Sequence, residues 1–471
     1  MNRKNIVLAA LMLLMPLMMG AQALKGSYFL DNSLNKHKLN PALAPNSGYF
    51  QLPVIGNTTF GLMSNLDLQT FMYPMNGQLY TFLNKNVSLA DFDSALPSHP
   101  HVDIDSDLNL LSFGWATRRN GFWTVDLGVR VNAAMDMPRD LFIFMKKGSG
   151  TVGSTFDLGS LGINAMASVQ AALGYSKDLS SLVDGLRVGA KARVILPVAY
   201  LGVGMDQMTL TTGEEKWAID ASGSVHTAAK GLNLMGPDNS LDPTYTYDGA
   251  ISGLGFSFDL GAEYTYKFDG FINAVSVSAA VTDLGWISYK SDAVKHYGAG
   301  GQLEWEGFQI SMDEEALSNA MDNLAASAED FLKINDLTDG SGLTKSSLPS
   351  FYVGAEMPFL NNSMSIGALY SARRSFNYTR NELTLSYNLN PAKWFALGLN
   401  YSFLNVSKTL GAILEFTPRS GVGFYLGTDY MFLERARISN EDSFVSAIPT
   451  AWRLNVNFGL AVTFGGKKKA E

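Results

Sequence analysis

The 471-residue chain contains no cysteine. That excludes disulfides, thiolate metal centres and a lipid-modified cysteine anchor. Beyond the first two dozen residues there is no apolar run of about 18 residues, so no transmembrane helix is expected. Histidine is scarce, with five in all: His37, His99, His101, His226 and His296. No Walker loop, glycine-rich dinucleotide turn or H-E-x-x-H pair occurs. There is no low-complexity tract, no linker and no repeat, so a single domain is expected. Basic residues are outnumbered 35 to 43, for a net charge of −8, which makes the chain a poor nucleic-acid binder. What the chain does have is aromatics and glycine: 28 Phe, 19 Tyr, 7 Trp and 45 Gly, spread throughout.

The N-terminus reads as a secretory signal. Arg3 and Lys4 precede an apolar stretch, Ile6 to Met19, interrupted by Pro16, and small residues follow at Gly20, Ala21 and Ala23. Cleavage is expected after Ala21 or Ala23, and loss of the two cations takes the charge from −8 to −10. An exported, cysteine-free, aromatic-rich chain with strands but no helical span has the composition of a membrane β-barrel.

The last apolar stretch carries that reading furthest. Leu454, Val456, Phe458, Leu460, Val462 and Phe464 occupy alternate positions, with Asn455, Asn457, Gly459, Ala461 and Thr463 between them. A period of two puts an apolar set on one face of a strand and a small, polar set on the other. The length suits a tilted membrane strand. Asn457, Gly459, Val462 and Phe464 resemble the C-terminal signal of bacterial outer-membrane barrels, which the barrel assembly machinery reads. Here a tail, 465–471, follows it. An amphipathic strand of a soluble sandwich is the alternative for this stretch alone.

Such barrels have short periplasmic turns, long outer loops and an even strand number. Alternation bounded by turn residues predicts strands near 56–63, 106–117, 121–134, 162–176, 184–201, 250–268, 271–283, 349–357, 363–371, 379–389, 393–403, 407–416, 421–431 and 452–464. The fold expected is therefore all-β: a transmembrane antiparallel barrel of about fourteen strands over 56–464. The stretch 202–249 has room for two more. Two outer loops are predicted to contain helix: 311–334, with a capping box at Ser311 and Glu314, and Pro138–Lys147. Their apolar stripes suit packing on the barrel's own loops, capping of the mouth, or a partner.

Residues 24–55 precede the predicted wall and alternate poorly. They contain Leu39-Asn-Pro-Ala-Leu-Ala-Pro45, which neither helix nor central strand accommodates. The triplet Asn40-Pro41-Ala42, ahead of a barrel of this size, resembles the FadL family of long-chain fatty-acid transporters and the related PorV-type barrels of Bacteroidota. Leu52-Pro-Val-Ile-Gly-Asn57 and Asp283-Leu-Gly-Trp286 also resemble an uncharacterised Bacteroidota barrel family over most of the chain. The FadL resemblance implies fourteen strands and an N-terminal segment folded into the lumen as a hatch. Leu30, Leu34, Leu39, Leu43, Tyr49 and Phe50 need burial, each worth about 1.5–3 kcal/mol. A fourteen-strand lumen is too wide for wall side chains alone to fill. Asn40, Pro41 and Ala42 are therefore expected inside the barrel, in its periplasmic half.

The inward face is where function would reside. Alternation turns Asp126 and Arg130, then Arg187, Lys191 and Arg193, then Asp259, Glu263 and Lys267 into the lumen, because charge on the lipid face costs about 2–4 kcal/mol per Arg or Lys near the midplane. The basic row has two readings: a polar path or site for an anionic solute, or pairing with Asp259 and Glu263 on the neighbouring strand. None of the histidines falls in a predicted strand, and no catalytic residue is assigned. His99-Pro-His101 with Asp103 and Asp105 reads as a solvated loop or a metal loop; without a second cluster no metal or cofactor is assigned. The expected surroundings are outer-membrane lipid of a Gram-negative bacterium. The expected roles are passive transport or binding of a hydrophobic or amphipathic small molecule, or an accessory barrel that holds a protein partner. An enzyme is the weakest reading.

Overall fold

The computed structural model describes residues 24–465, except 54, 76–77, 149–150, 215, 236–240, 247, 306–332, 393, 405–407, 419, 432–434, 438–446 and 450–452. It is a closed antiparallel barrel of fourteen strands. The first, β1, is in two pieces, Gly48–Gln51 and Thr58–Ser64. Then come β2 (His101–Ala116), β3 (Gly121–Asp136), β4 (Gly162–Asp178), β5 (Leu186–Thr211), β6 (Gly253–Lys267) and β7 (Ala274–Tyr289). The rest are β8 (Ser350–Phe359), β9 (Met364–Arg374), β10 (Thr379–Ala392), β11 (Phe395–Leu404), β12 (Lys408–Phe416), β13 (Gly421–Met431) and β14 (Arg453–Phe464). Each pairs with its sequence neighbours, and β14 closes the ring on both pieces of β1.

Hydrophobic alternation selects this wall. On β6, Phe256, Phe258, Leu260, Tyr264 and Tyr266 point out, while Ser257 and Asp259 point in and are buried. On β14, Phe458, Val462 and Phe464 point out, and Asn455, Asn457, Ala461 and Thr463 point in. The expected parity therefore holds. Turns at one end are short and contain asparagines in the left-handed region, Asn120, Asn361 and Asn362, which tolerate that conformation better than most residues. At the other, outer end most connections are long, but β10 follows β9 after four residues and β12 follows β11 after three.

The wall starts earlier than 56. Gly48–Gln51 pairs with β14 and β2, so Tyr49 and Phe50 belong to the wall rather than to the segment before it. Tyr49 points into the lumen and is fully buried, whereas Phe50, next along the strand, takes the opposite face. Between the two pieces, six residues, 52–57, stand opposite only Gly459 and Leu460 of β14. The ladder is held across this excursion by the amide of Leu460 donating to the Ile55 carbonyl at 2.8 Å. Tyr425 donates from its hydroxyl to the Gly56 carbonyl at 2.9 Å. A Cβ at position 459 would lie 2.1 Å from that same carbonyl oxygen, which is why glycine is needed there.

Among the described residues, the stretch 202–249 adds no strand to the ring. Its outer half of β5 instead pairs with an outer strand, Trp217–Ala228, which pairs with another, Val294–Trp305. At about 3.3 Å per residue, the 26-residue β5 is far longer than a bilayer requires. The expected helix at 138–147 is present as α1, Arg139–Lys147, ended by Gly148 at φ 70°. Phe142 joins a cluster with Phe82 and Phe92, and Phe144 one with Phe156 and Leu210, so its stripe packs on the barrel's own loops. The helix expected at 311–334 lies almost wholly outside the described residues.

The lipid face is testable at Phe258, which is 48% exposed. Phe258→Arg is expected to lose about 2–4 kcal/mol of stability by urea unfolding in lipid vesicles, with Phe258→Leu close to the parent. A Phe258→Arg barrel as stable as the parent would contradict the assignment of faces.

Candidate functional site

The N-terminal segment crosses the lumen and touches inward faces around the ring. Its entry is fixed by charge. Asp429 of β13 accepts from the amides of Lys25 at 2.8 Å and Gly26 at 3.0 Å. The Lys25 ammonium pairs with Glu382 of β10, which also accepts from the Tyr430 hydroxyl at 2.8 Å. The aromatic and aliphatic residues that follow settle against wall glycines: Phe29 over Gly367, Tyr28 over Gly354, Leu30 over Gly398. Leu30, Leu34, Leu39 and Leu43 are all buried, as their composition demanded.

Asn40, Pro41 and Ala42 sit against β5 and β6. Gly189 and Gly261 are directly opposed across that ladder. A Cβ on Gly261 would lie 2.0 Å from Asn40 Oδ1, and one on Gly189 would lie 2.2 Å from the Pro41 carbonyl. The glycine pair thus makes a dent in the wall that admits the triplet. Asn40 Oδ1 accepts from the Ala42 amide at 3.0 Å, a local turn, and Asn40 Nδ2 donates to the Tyr28 hydroxyl at 2.9 Å. The dent lies towards the short-turn end of both strands.

The inward charges pair with one another, but not wholly as the strand order suggested. Arg187 meets Glu263, its direct cross-strand neighbour, at 3.5 Å. Arg193 meets Asp259 at 3.0 Å. Lys191 stands opposite Asp259 in register, yet its ammonium reaches two strands the other way to Asp126 at 2.9 Å. Asp126 also accepts from the Ser112 hydroxyl at 2.7 Å and lies 3.4 Å from His37 Nε2, so it joins β2, β3, β5 and the N-terminal segment. Arg130 reaches Asp283 at 2.9 Å and Asp107 at 3.4 Å. Lys267 is exposed at the end of β6.

Asp107 and Asp283 complete this cluster. Asp107 follows from alternation along β2. Asp283 does not, because a bulge opposite Asp259 puts two residues, Thr282 and Asp283, against one. With φ at 58°, Asp283 turns its carboxylate inward to Arg130 and Arg193, while its amide donates to Asp259 at 2.7 Å. The sequence signal for it was the tetrapeptide Asp283-Leu-Gly-Trp286, in which Gly285 passes so near the Phe256 carbonyl that a Cβ would lie 2.0 Å from it. The space left among these charges is about 50 Å³, room for little more than water.

A larger cavity, about 660 Å³, opens at the outer mouth. Met63, Met137, Tyr378 and Leu404 supply apolar surface, and Arg380 and Arg453 line it with guanidinium groups. Arg453 lies 3.9 Å from Asp67. His101, the first residue of β2 rather than part of a loop, stacks on Tyr378 with ring centres 4.0 Å apart. This volume falls in the usual range of small-molecule pockets. Its residues come from both ends of the sequence and from the middle, so no local motif announces it.

The Lys191–Asp126 bridge is open to a double-mutant cycle. Lys191→Glu is expected to destabilise the folded barrel in urea, and adding Asp126→Lys to recover part of the loss, with a coupling of about 0.5–3 kcal/mol. Zero coupling would break the pairing account of the basic row.

No curated protein matches the chain. Among solved structures it is similar to the Pseudomonas putida toluene transporter TodX, at 9% identity and TM-score 0.39, covering 95% of this chain and 96% of that one. It is similar also to a Pseudomonas aeruginosa FadL homologue, at 12% identity and TM-score 0.35, covering 95% and 97%. The β domain of the Bordetella autotransporter BrkA is a third, at 10% identity and TM-score 0.28, covering 89% and 100%. The family model for DUF5723 matches residues 41–429. The chain therefore belongs to this family of unknown function.

Proposed function

We propose that this barrel sits in the outer membrane of a Gram-negative bacterium and passively admits or binds a hydrophobic or amphipathic small molecule. The observation that carries the proposal is the outer cavity of about 660 Å³, with apolar surface and two guanidinium groups above a lumen occupied by the N-terminal segment. Methionines adapt to ligands of varied shape, and the guanidinium pair suits a solute with a polar or anionic head. The segment below acts as a hatch: solute collects at the mouth, and passage requires the segment to shift. No chemistry is assigned to the site, and the proposed role is not enzymatic.

An accessory barrel that holds a protein partner is the second reading. It rests on the outer strands Trp217–Ala228 and Val294–Trp305, which extend beyond what a bilayer-spanning wall needs.

Uptake into proteoliposomes tests the first reading. An alkylbenzene and a medium-chain alkyl carboxylate are expected to enter faster than into protein-free vesicles, with glucose unchanged. Leu404→Trp, which fills the cavity, should slow both while leaving the barrel heat-modifiable. Entry equal to that of protein-free vesicles, or entry unaffected by Leu404→Trp, would overturn solute uptake and bring the partner reading forward.

A further inference from the structure

His226 and His296 are directly opposed on the two antiparallel outer strands Trp217–Ala228 and Val294–Trp305. Their Nδ1 atoms are 2.5 Å apart and their ring centres 4.8 Å apart, nearly perpendicular. Both rings are half-buried, so solvent reaches them. They lie on the same strand faces as Ala228 and Val294, two residues along, whose side chains are buried in an apolar cluster with Tyr200, Ile287 and Tyr289. That packed floor fixes the backbone beneath the pair.

Two features make this pair unlike two histidines that merely touch. First, it is placed by a continuous ladder of twelve paired positions, which sets the separation of the two rings. Second, two imidazole nitrogens in contact need a shared proton: one ring donates from Nδ1 and the other accepts. The two Nδ1 atoms are therefore already turned toward one region of space.

We propose that His226 and His296 form a two-nitrogen chelate for a divalent transition-metal ion, Cu(II) in preference to Zn(II). Metal–imidazole bonds of about 2.0–2.1 Å at a right angle place the two nitrogens about 2.9 Å apart, so the nitrogens separate by a few tenths of an ångström and the rings turn until both Nδ1 atoms face the ion rather than each other. A cis pair at a right angle suits a tetragonal ion, and Cu(II) also heads the divalent affinity order. On binding, the shared proton leaves Nδ1 and the protonated nitrogen becomes Nε2. His296 Nε2 lies 3.5 Å from the Ser341 hydroxyl, which is in reach to accept that proton's hydrogen bond. Water fills the remaining coordination positions. Among the described residues no third histidine or carboxylate completes a closed cluster, so the site is open and exchangeable.

The ion would tie the two outer strands together across their ladder. It would act independently of the cavity at the mouth, which neither histidine lines.

The test uses the full chain in detergent, without a histidine tag, titrated with copper sulfate and with zinc sulfate at neutral pH. One Cu(II) per chain is expected, with nitrogen hyperfine structure in its electron spin resonance spectrum and tighter binding than Zn(II). His226→Asn and His296→Asn should each weaken copper binding by about tenfold or more and remove the two-nitrogen signature. The double variant His99→Ala/His101→Ala should leave both intact. Heat-modifiability on gels establishes that each variant is folded. Copper binding unchanged in folded His226→Asn, binding lost in the His99/His101 variant, or no binding by the folded parent would each overturn the site.

Discussion

A sheet in hydrocarbon cannot leave an edge unpaired, since each free amide or carbonyl there costs several kcal/mol. The rest of this structure depends on meeting that constraint between β14 and β1. The two strands are ill matched, because six residues of one face two of the other. Closure survives through a backbone bond on the far side of the excursion, a tyrosine hydroxyl and a glycine that lets the chains approach. Gly459 is therefore required by the closure itself. Asn457 likewise points inward and donates to Asn57 at 2.8 Å, tying β14 to the residue just before the second piece of β1.

Closing fourteen strands creates a second problem, a lumen too wide for wall side chains to fill. The chain meets it with its own N-terminal segment and with charges paired across the ring. The two devices are joined. Asp126 holds Lys191 of β5 and faces His37 of the segment; Asp429 and Glu382 grip its first residues. Opposite-charge pairs in the lumen offset the cost of burying each ion, which would be several kcal/mol if it stood alone.

The wall was legible in the sequence because lipid on one side and a polar lumen on the other impose a strict period of two. Phe256, Phe258 and Leu260 against Ser257 and Asp259 display it plainly. It failed where pairing departs from that period. The first piece of β1 is only four residues long and is followed by a proline, so it read as part of the irregular segment. Strand adjacency offers the basic row Asp259 and Glu263, but the long flexible ammonium of Lys191 chooses by reach, and Asp126 is in reach. Asp283 was hidden by a bulge, which reverses inside and outside at that point. The outer cavity and the His226–His296 pair depend on contacts between residues far apart in sequence, which periodicity does not report.

Whether residues 24–46 close the lumen of an otherwise complete barrel is open to a direct measurement. Deleting 26–46, which stops short of the first wall pair at Gly48, tests it directly by single-channel recording in planar bilayers. The deletion variant is expected to remain a barrel that shifts on heating and to conduct far more than the parent. A folded deletion variant with the parent's conductance would contradict it.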